Sequence, residues 1–245
     1  MPLYYETFKQ KSKNYLSNVE KSSILKFRDN ERMEEMFFTF MRGVVRFLFF
    51  IVNGNLEIQN KEVLPKDENY ILVAPHRTWW DPLYLAVAAR PKKFAFMAKE
   101  ELFKNPLIRF ILVHANAFPV NRKNPGPSVI KTPVKILKST DLSLIMFPTG
   151  SRYSNELKGG MTVIARMAKV RIVPCVYQGP LSFKDLLKRK KVTIRFGEPI
   201  DVSDIKKTDK VSLSIVDARL TQAFNQLDVE VNPNFVYVIP EKKET

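Results

Sequence analysis

The sequence predicts an α/β fold: a central, largely parallel sheet flanked by helices, preceded by an N-terminal two-helix segment. Three observations carry this. From residue 57 onward, short apolar runs alternate with stretches of helical period. Several of those runs are continuously apolar, as expected of strands covered on both faces. Before residue 57 the chain is different in kind, first basic and then Phe-rich. The predicted division is residues 1–56 as the two-helix segment and residues 57–245 as the α/β domain.

The first helix, over 1–28, is basic and amphipathic, with Lys9, Lys11, Lys13, Lys21, Lys26 and Arg28 outnumbering Glu6 and Glu20. Asp29 and Asn30 break it. The second, about 31–53, ends at Asn53-Gly54-Asn55, a helix stop signal. Its apolar part, 36–52, would be about 25 Å long, slightly short of the hydrocarbon core of a bilayer. Arg42 and Arg46, four apart and so on one helix face, oppose a crossing further. Large aromatics beside Lys and Arg suit a membrane interface instead. The expected membrane-binding residues are Phe37, Phe38, Phe40, Arg42, Arg46, Phe47, Phe49 and Phe50. The competing reading makes the Phe-rich helix core for the domain behind it.

In the second part, strands are predicted at Tyr70–Ala74, Phe94–Ala98, Ala117–Asn121, Leu142–Phe147, Arg171–Val176 and Val192–Phe196. Helices are predicted at Pro82–Ala89, Pro106–Val113, Ser128–Ser139, Gly160–Lys169, Leu181–Lys188 and 209–228. Phe235–Ile239 is a candidate final strand or edge segment.

Composition limits the function. The 245 residues carry a net charge of +15, which favours a polyanionic partner: nucleic acid, an anionic bilayer or a phosphorylated ligand. The single cysteine, Cys175, excludes a disulfide framework and a Cys-based zinc cluster. Lys and Arg are spread through the chain without an RNA-recognition or helix-turn-helix signature, so no nucleic-acid partner is expected. The polar N-terminus lacks the pattern of a secretory signal.

The chemistry gathers after strands, where open α/β sheets place their sites. The strand at Tyr70–Ala74 is followed by Pro75-His76-Arg77-Thr78-Trp79-Trp80-Asp81-Pro82. Asp81-Pro82 has the form of a helix start, Asp at the N-cap and Pro after it. His76 and Asp81 can meet only if the loop between them curls back, since five helical residues would turn them about 140° apart. A carboxylate on one imidazole nitrogen leaves the other as an acceptor, a general base with no protein nucleophile beside it. The nucleophile would then come from the substrate, most simply a hydroxyl. A structural His followed by an unrelated helix cap is the alternative. The Gly-x-Ser-x-Gly elbow of lipase-like hydrolases does not occur. Phe147-Pro148-Thr149-Gly150-Ser151-Arg152 follows another strand and offers backbone N–H groups, a hydroxyl and a guanidinium, a set that suits phosphate. Lys99 and the pair Arg122-Lys123 end two further strands.

These segments resemble the glycerolipid acyltransferase family. His76-x4-Asp81 is similar to its His-x4-Asp motif, and Phe147–Arg152 to its Phe-Pro-Glu-Gly-Thr-Arg motif. Lys99-Glu100-Glu101-Leu102-Phe103 and Val120-Asn121-Arg122 resemble its second block, and Ile172–Val176 its Val-Pro-Val-like strand. Phe196-Gly197-Glu198-Pro199-Ile200 matches the turn that usually follows. The blocks span about residues 57–200 in the family's order. Pro75 stands where the family often has Asn, and Thr149 where it usually has Glu. The length and the basic N-terminal module look most like the bacterial 1-acylglycerol-3-phosphate acyltransferases.

The resemblance implies acyl transfer from a thioester, acyl-CoA or acyl-ACP, to the 2-hydroxyl of lysophosphatidic acid, giving phosphatidic acid. It implies His76 and Asp81 as catalytic residues, and Lys99, Arg122, Gly150, Ser151 and Arg152 around the acceptor phosphate. It implies no metal or organic cofactor, because the thioester is already activated. Anionic membrane lipids are the expected surface, with a peripheral or monotopic place on the cytoplasmic face of the cell membrane. Glycerol-3-phosphate or another lysophospholipid as acceptor, and a non-catalytic basic membrane-binding module, stay open as alternatives.

Overall fold

The computed structural model describes residues 56–121, 124–154 and 156–240, with positions 36, 39–41, 43–48, 50–52 and 54 before them. The chain divides into two units between Val44 and Val45. The helix expected over 1–28 lies outside the described residues, as do Phe37, Phe38, Arg42 and Phe49 of the second. Positions 39–41, 43–48 and 50–52 are helical, and Phe40, Arg46, Phe47 and Phe50 are exposed. The Gly54 N–H donates to the Phe50 carbonyl at 2.8 Å, with Gly54 at φ 76, the left-handed conformation expected of a helix-ending glycine. No helix among the described residues is long and apolar enough to cross a membrane.

The second unit is built in the order β1 (Glu57–Gln59), β2 (Ile71–Val73), α1 (Asp81–Ala88), β3 (Phe94–Lys99), α2 (Pro106–His114), β4 (Ala117–Val120), α3 (Ser128–Ser139), β5 (Ser143–Met146), α4 (Gly160–Ala168), β6 (Ile172–Gln178), α5 (Phe183–Leu187), β7 (Thr193–Phe196) and α6 (Lys210–Val231). Short 3₁₀ helices lie at Lys61–Val63 and Glu100–Lys104. One seven-stranded sheet runs β1-β7-β6-β2-β5-β3-β4. All pairings are parallel except β6 with β7.

Alternation along the central strands explains the layers. Leu72 of β2 packs with Tyr84 and Leu85 of α1 on one face of the sheet. Ile71 and Val73 pack with Leu137 of α3, Ile164 of α4 and Leu220 of α6 on the other. Both faces are therefore dry, and β2 is buried throughout. α3 carries Pro133 in its interior, where the ring is buried against this second layer.

Register places the functional segments. Val73 lies opposite Met146 of β5 and Pro174 of β6. Phe96 lies opposite Ile145, and Lys99 opposite Val120. The carboxyl ends of β2, β5, β3 and β4 thus leave one edge of the sheet side by side.

Two expectations change. Phe235–Ile239 joins no ladder; its alternation faces a cation instead, as described below. The polar strand β1, three residues long, carried no apolar run and was not predicted; it is held by parallel pairing to β7.

Candidate active site

His76 leaves the end of β2, and Asp81 opens α1. The loop between them does curl back: His76 Nδ1 lies 3.2 Å from Asp81 Oδ2. Asp81 is fully buried, while 16 % of the His76 side chain reaches solvent. The carboxylate is satisfied without water. It accepts the Arg77 N–H at 2.7 Å, the Thr78 N–H at 2.8 Å and the Thr78 hydroxyl. Trp80 occupies the N-cap position, and Pro82 sits in the first turn. The expected N-cap role of Asp81 is therefore corrected: its carboxylate turns back to the loop, because two backbone N–H groups and a hydroxyl converge there. It also lies at the positive end of α1, which favours its charge.

With Nδ1 facing the carboxylate, Nε2 is the nitrogen left for a reacting group. The ring stacks on Phe147, with centroids 4.1 Å apart and planes at 23°. Phe147 follows β5, the neighbour of β2, so strand pairing itself sets this contact. Past Phe147 the chain turns tightly. The Gly150 N–H donates to the Phe147 carbonyl at 2.9 Å, and Gly150 takes φ 64. The Lys158 N–H closes the loop onto the Pro148 carbonyl at 2.9 Å. Thr149 is buried, its hydroxyl donating to the Ser151 carbonyl at 2.7 Å. Ser151 Oγ accepts the Tyr153 N–H at 3.1 Å. The Arg152 guanidinium stands 5.6 Å from the Tyr153 ring centroid.

The structure thus brings His76, Asp81 and the turn Gly150-Ser151-Arg152 to neighbouring strand ends. Lys99 is exposed at the end of β3 on the same edge. Arg122 lies outside the described residues.

The sequence reading missed the residues beneath this loop. Arg77 is buried, and one guanidinium nitrogen donates to the Tyr177 carbonyl at 2.6 Å and to Asp228 Oδ1 at 3.0 Å. Its other terminal nitrogen pairs with Asp228 Oδ2. Gln178 Nε2 holds the same carboxylate at 3.0 Å. The Arg77 guanidinium also lies 4.7 Å from the Phe235 ring centroid and 5.6 Å from that of Tyr237. Burial pushes the Tyr237 phenol above its ordinary value; Asp81 adds to this, while Arg77 and Arg152 oppose it. Tyr237 is therefore within electrostatic reach of both the dyad loop and Arg152. A signal for Arg77 was present, a charged residue inside the His-x4-Asp segment. Nothing local pointed to Asp228.

Trp80 and Trp79 divide. Trp80 is buried, and its indole N–H donates to the Tyr177 hydroxyl at 3.1 Å; Trp79 is exposed against Phe183. His114 ends α2 with Nδ1 2.7 Å from the Phe110 carbonyl, away from this constellation. Among the described residues, no three His, Cys, Asp or Glu side chains converge as a metal site would require.

Fold and dyad together define an α/β site at strand ends in which, among the described residues, His76 is paired with a carboxylate and with no Ser or Cys side chain. The Acyltransferase family model matches residues 55–178, which contain both His76 and the Phe147–Arg152 turn. The chain belongs to this acyltransferase family. It is 49% identical over 211 residues to the 1-acyl-sn-glycerol-3-phosphate acyltransferase of Streptococcus pneumoniae, covering 84% of this chain and 80% of that one. It is 40% identical over 180 residues to the protein of the same name from Bacillus subtilis, covering 72% and 90%. The fold is similar to the crystal structure of the 1-acyl-sn-glycerophosphate (LPA) acyltransferase PlsC from Thermotoga maritima. The TM-score is 0.64 at 20% identity, covering 86% of each chain.

Proposed function

We propose that this protein transfers a fatty acyl group from a thioester to the 2-hydroxyl of 1-acylglycerol-3-phosphate, producing phosphatidic acid for phospholipid synthesis. The observation that carries the reading is the buried Asp81 holding His76 Nδ1 at 3.2 Å beside the Gly150–Arg152 turn, in a chain whose relatives bear that activity in their names.

In this mechanism His76 Nε2 takes the proton of the acceptor hydroxyl as its oxygen attacks the thioester carbonyl. Asp81 keeps Nδ1 protonated and stabilises the imidazolium that forms. The new C–O bond replaces the C–S bond, and the departing thiolate takes its proton from His76. Base catalysis of this kind supplies roughly 10²–10⁴-fold. Placing acceptor and donor against each other supplies more, of order 7–11 kcal/mol in favourable geometry. Lys99, Arg122 and Arg152 grip the acceptor phosphate as charge-assisted donors, with Ser151 and the backbone at Gly150 completing the cradle. The thioester is already activated, so the reaction needs no cofactor. Donors are acyl-CoA or acyl-ACP.

Residues 1–56 act as a two-helix interfacial anchor, through Phe37, Phe38, Phe40, Phe47, Phe49 and Phe50 with Arg42 and Arg46 toward anionic headgroups. The protein then works on the cytoplasmic face of the cell membrane, where both acyl chains stay in lipid. The test gives purified protein each thioester donor with lysophosphatidic acid or glycerol-3-phosphate and measures the product by mass. Phosphatidic acid from lysophosphatidic acid is expected. Product only from glycerol-3-phosphate, or none from either, overturns the assignment.

A further inference from the structure

The dyad loop is gripped by a segment that lies beyond the matched family region, which ends at residue 178. The grip falls on Arg77, next to His76 in the chain. The Arg77 N–H donates to Asp81 Oδ2 at 2.7 Å, and the same oxygen faces His76 Nδ1. A displacement of Arg77 therefore disturbs the one oxygen that orients the imidazole.

Only 4 % of the Arg77 side chain reaches solvent, so its charge needs compensation from the protein. Asp228 supplies the opposite charge and is itself held by Gln178. Arg77 Nε is buried and finds no hydrogen-bond acceptor among the described residues. The guanidinium is covered instead by aromatic rings, that of Phe235 at 4.7 Å and that of Tyr237 at 5.6 Å. An aromatic face attracts a desolvated cation without offering it an acceptor atom. The Tyr237 hydroxyl donates to the Arg77 carbonyl at 3.4 Å, and burial raises the phenol, so it stays a donor at neutral pH.

One short stretch of chain supplies the carboxylate, the rings and the hydroxyl. Asp228 lies in the last turn of α6. The Asn232 N–H donates to the Asp228 carbonyl at 2.9 Å, and the Phe235 N–H donates to the Asn232 carbonyl at 3.0 Å. The Asn234 N–H donates to Asn232 Oδ1 at 3.0 Å. This turn carries the chain back to Arg77. Phe235 and Tyr237 join neither apolar layer of the core; their partner is the cation.

We propose that residues 228–237 form a clasp that aims the imidazole: Phe235 and Tyr237, with Asp228, are positioning residues that act on His76 through Arg77. The proposal rests on the reading of His76 as the base and adds the element that fixes its direction. With the clasp loosened, the guanidinium turns toward water, the Arg77 N–H leaves Asp81 Oδ2, and His76 Nε2 no longer meets the acceptor hydroxyl squarely.

The test uses the full chain and pairs kinetics with a signal from the imidazole itself. The chain has two histidines, so isotope labelling of the ring nitrogens gives two sets of resonances. His114, with Nδ1 2.7 Å from the Phe110 carbonyl, is the internal reference. Phe235→Leu removes the aromatic face and keeps an apolar side chain; Phe235→Tyr keeps the face. In Phe235→Leu the His76 Nδ1–H resonance is expected to shift and broaden while that of His114 stays in place. Its kcat with lysophosphatidic acid falls about 10- to 10²-fold at an unchanged KM for the thioester. Phe235→Tyr restores both. Tyr237→Phe, which removes one hydroxyl and little packing, lowers kcat roughly threefold. A Phe235→Leu protein with the wild-type His76 resonance and kcat overturns the clasp, whether or not its unfolding midpoint falls. If Phe235→Leu does not fold, the same result in Tyr237→Phe overturns it. A His76 resonance that responds to Phe235→Leu, in a protein that acylates no lysophosphatidic acid, keeps the clasp and strikes the functional reading.

Discussion

At the scale of the residue, Asp81 is defined by what it accepts. Two loop N–H groups, one hydroxyl and His76 Nδ1 point at a carboxylate with no access to water. An amide in its place would turn an N–H₂ toward at least one of those donors. Each buried donor left unpaired costs about 1–3 kcal/mol. Asp81→Asn is therefore expected to lower the thermal midpoint by several degrees and cut kcat by at least about 10², through loss of imidazole orientation. A variant with wild-type kcat would contradict the dyad. Cys175 makes the opposite case, a reactive group kept from reacting. It is buried on β6, its thiol donating to the Val73 carbonyl at 3.3 Å, and burial pushes its pKa well up. A thiol-exchange reagent at pH 8 is expected to leave the native protein unlabelled and to label one thiol after denaturation. Labelling of the native chain at the rate of a free thiol would contradict this burial.

At the scale of the element, the dyad loop is held from beneath by parts of the chain far away in sequence. Arg77 ties it to β6 through the Tyr177 carbonyl and to α6 through Asp228, 151 residues on. Removing Asp228 leaves a buried guanidinium without its partner. Asp228→Ala is expected to destabilise the protein by about 3 kcal/mol in urea unfolding, the lower end for a broken buried pair. Glu68→Ala, which breaks an ion pair to Arg171 with both side chains nearly half exposed, is expected to cost about 1 kcal/mol or less. Equal effects from the two variants would deny Arg77 its role in fixing the loop. This contrast also marks what could be read from the sequence. His76-x4-Asp81 and Phe147–Arg152 were legible because each lies within one turn or loop, and strand ends pointed to where they gather. The Arg77–Asp228 link was not, because no local pattern encodes a contact across 151 positions. At Phe235–Ile239 the alternation was legible and its use was not. Phe235 and Tyr237 turn inward against Arg77, while Val236 and Val238 stay exposed, so a period-2 pattern serves a cation–aromatic contact rather than a ladder. The capping of α1 failed for a different reason: the sequence placed Asp81 correctly at the helix start, but the loop offered it stronger donors than the helix did.

At the scale of the whole molecule, sheet topology does the assembling. Parallel pairing of β2 with β5 and of β5 with β3 brings segments from residues 76, 99 and 150 to one edge. Apolar layers pack both faces of the sheet behind that edge. The α/β class and nearly every element, β7 included, were foreseen from alternation; the antiparallel direction of β7 and the short β1 were not, since pairing direction and three-residue strands leave little trace in composition. The account stands on His76 acting as the base toward a substrate hydroxyl. Its most direct test is single-turnover acylation of lysophosphatidic acid by the wild type and by His76→Ala, with folding of the variant checked by its unfolding midpoint. The account predicts a rate lower by about 10²–10⁴ at an unchanged midpoint. A folded His76→Ala protein that acylates at the wild-type rate would contradict it.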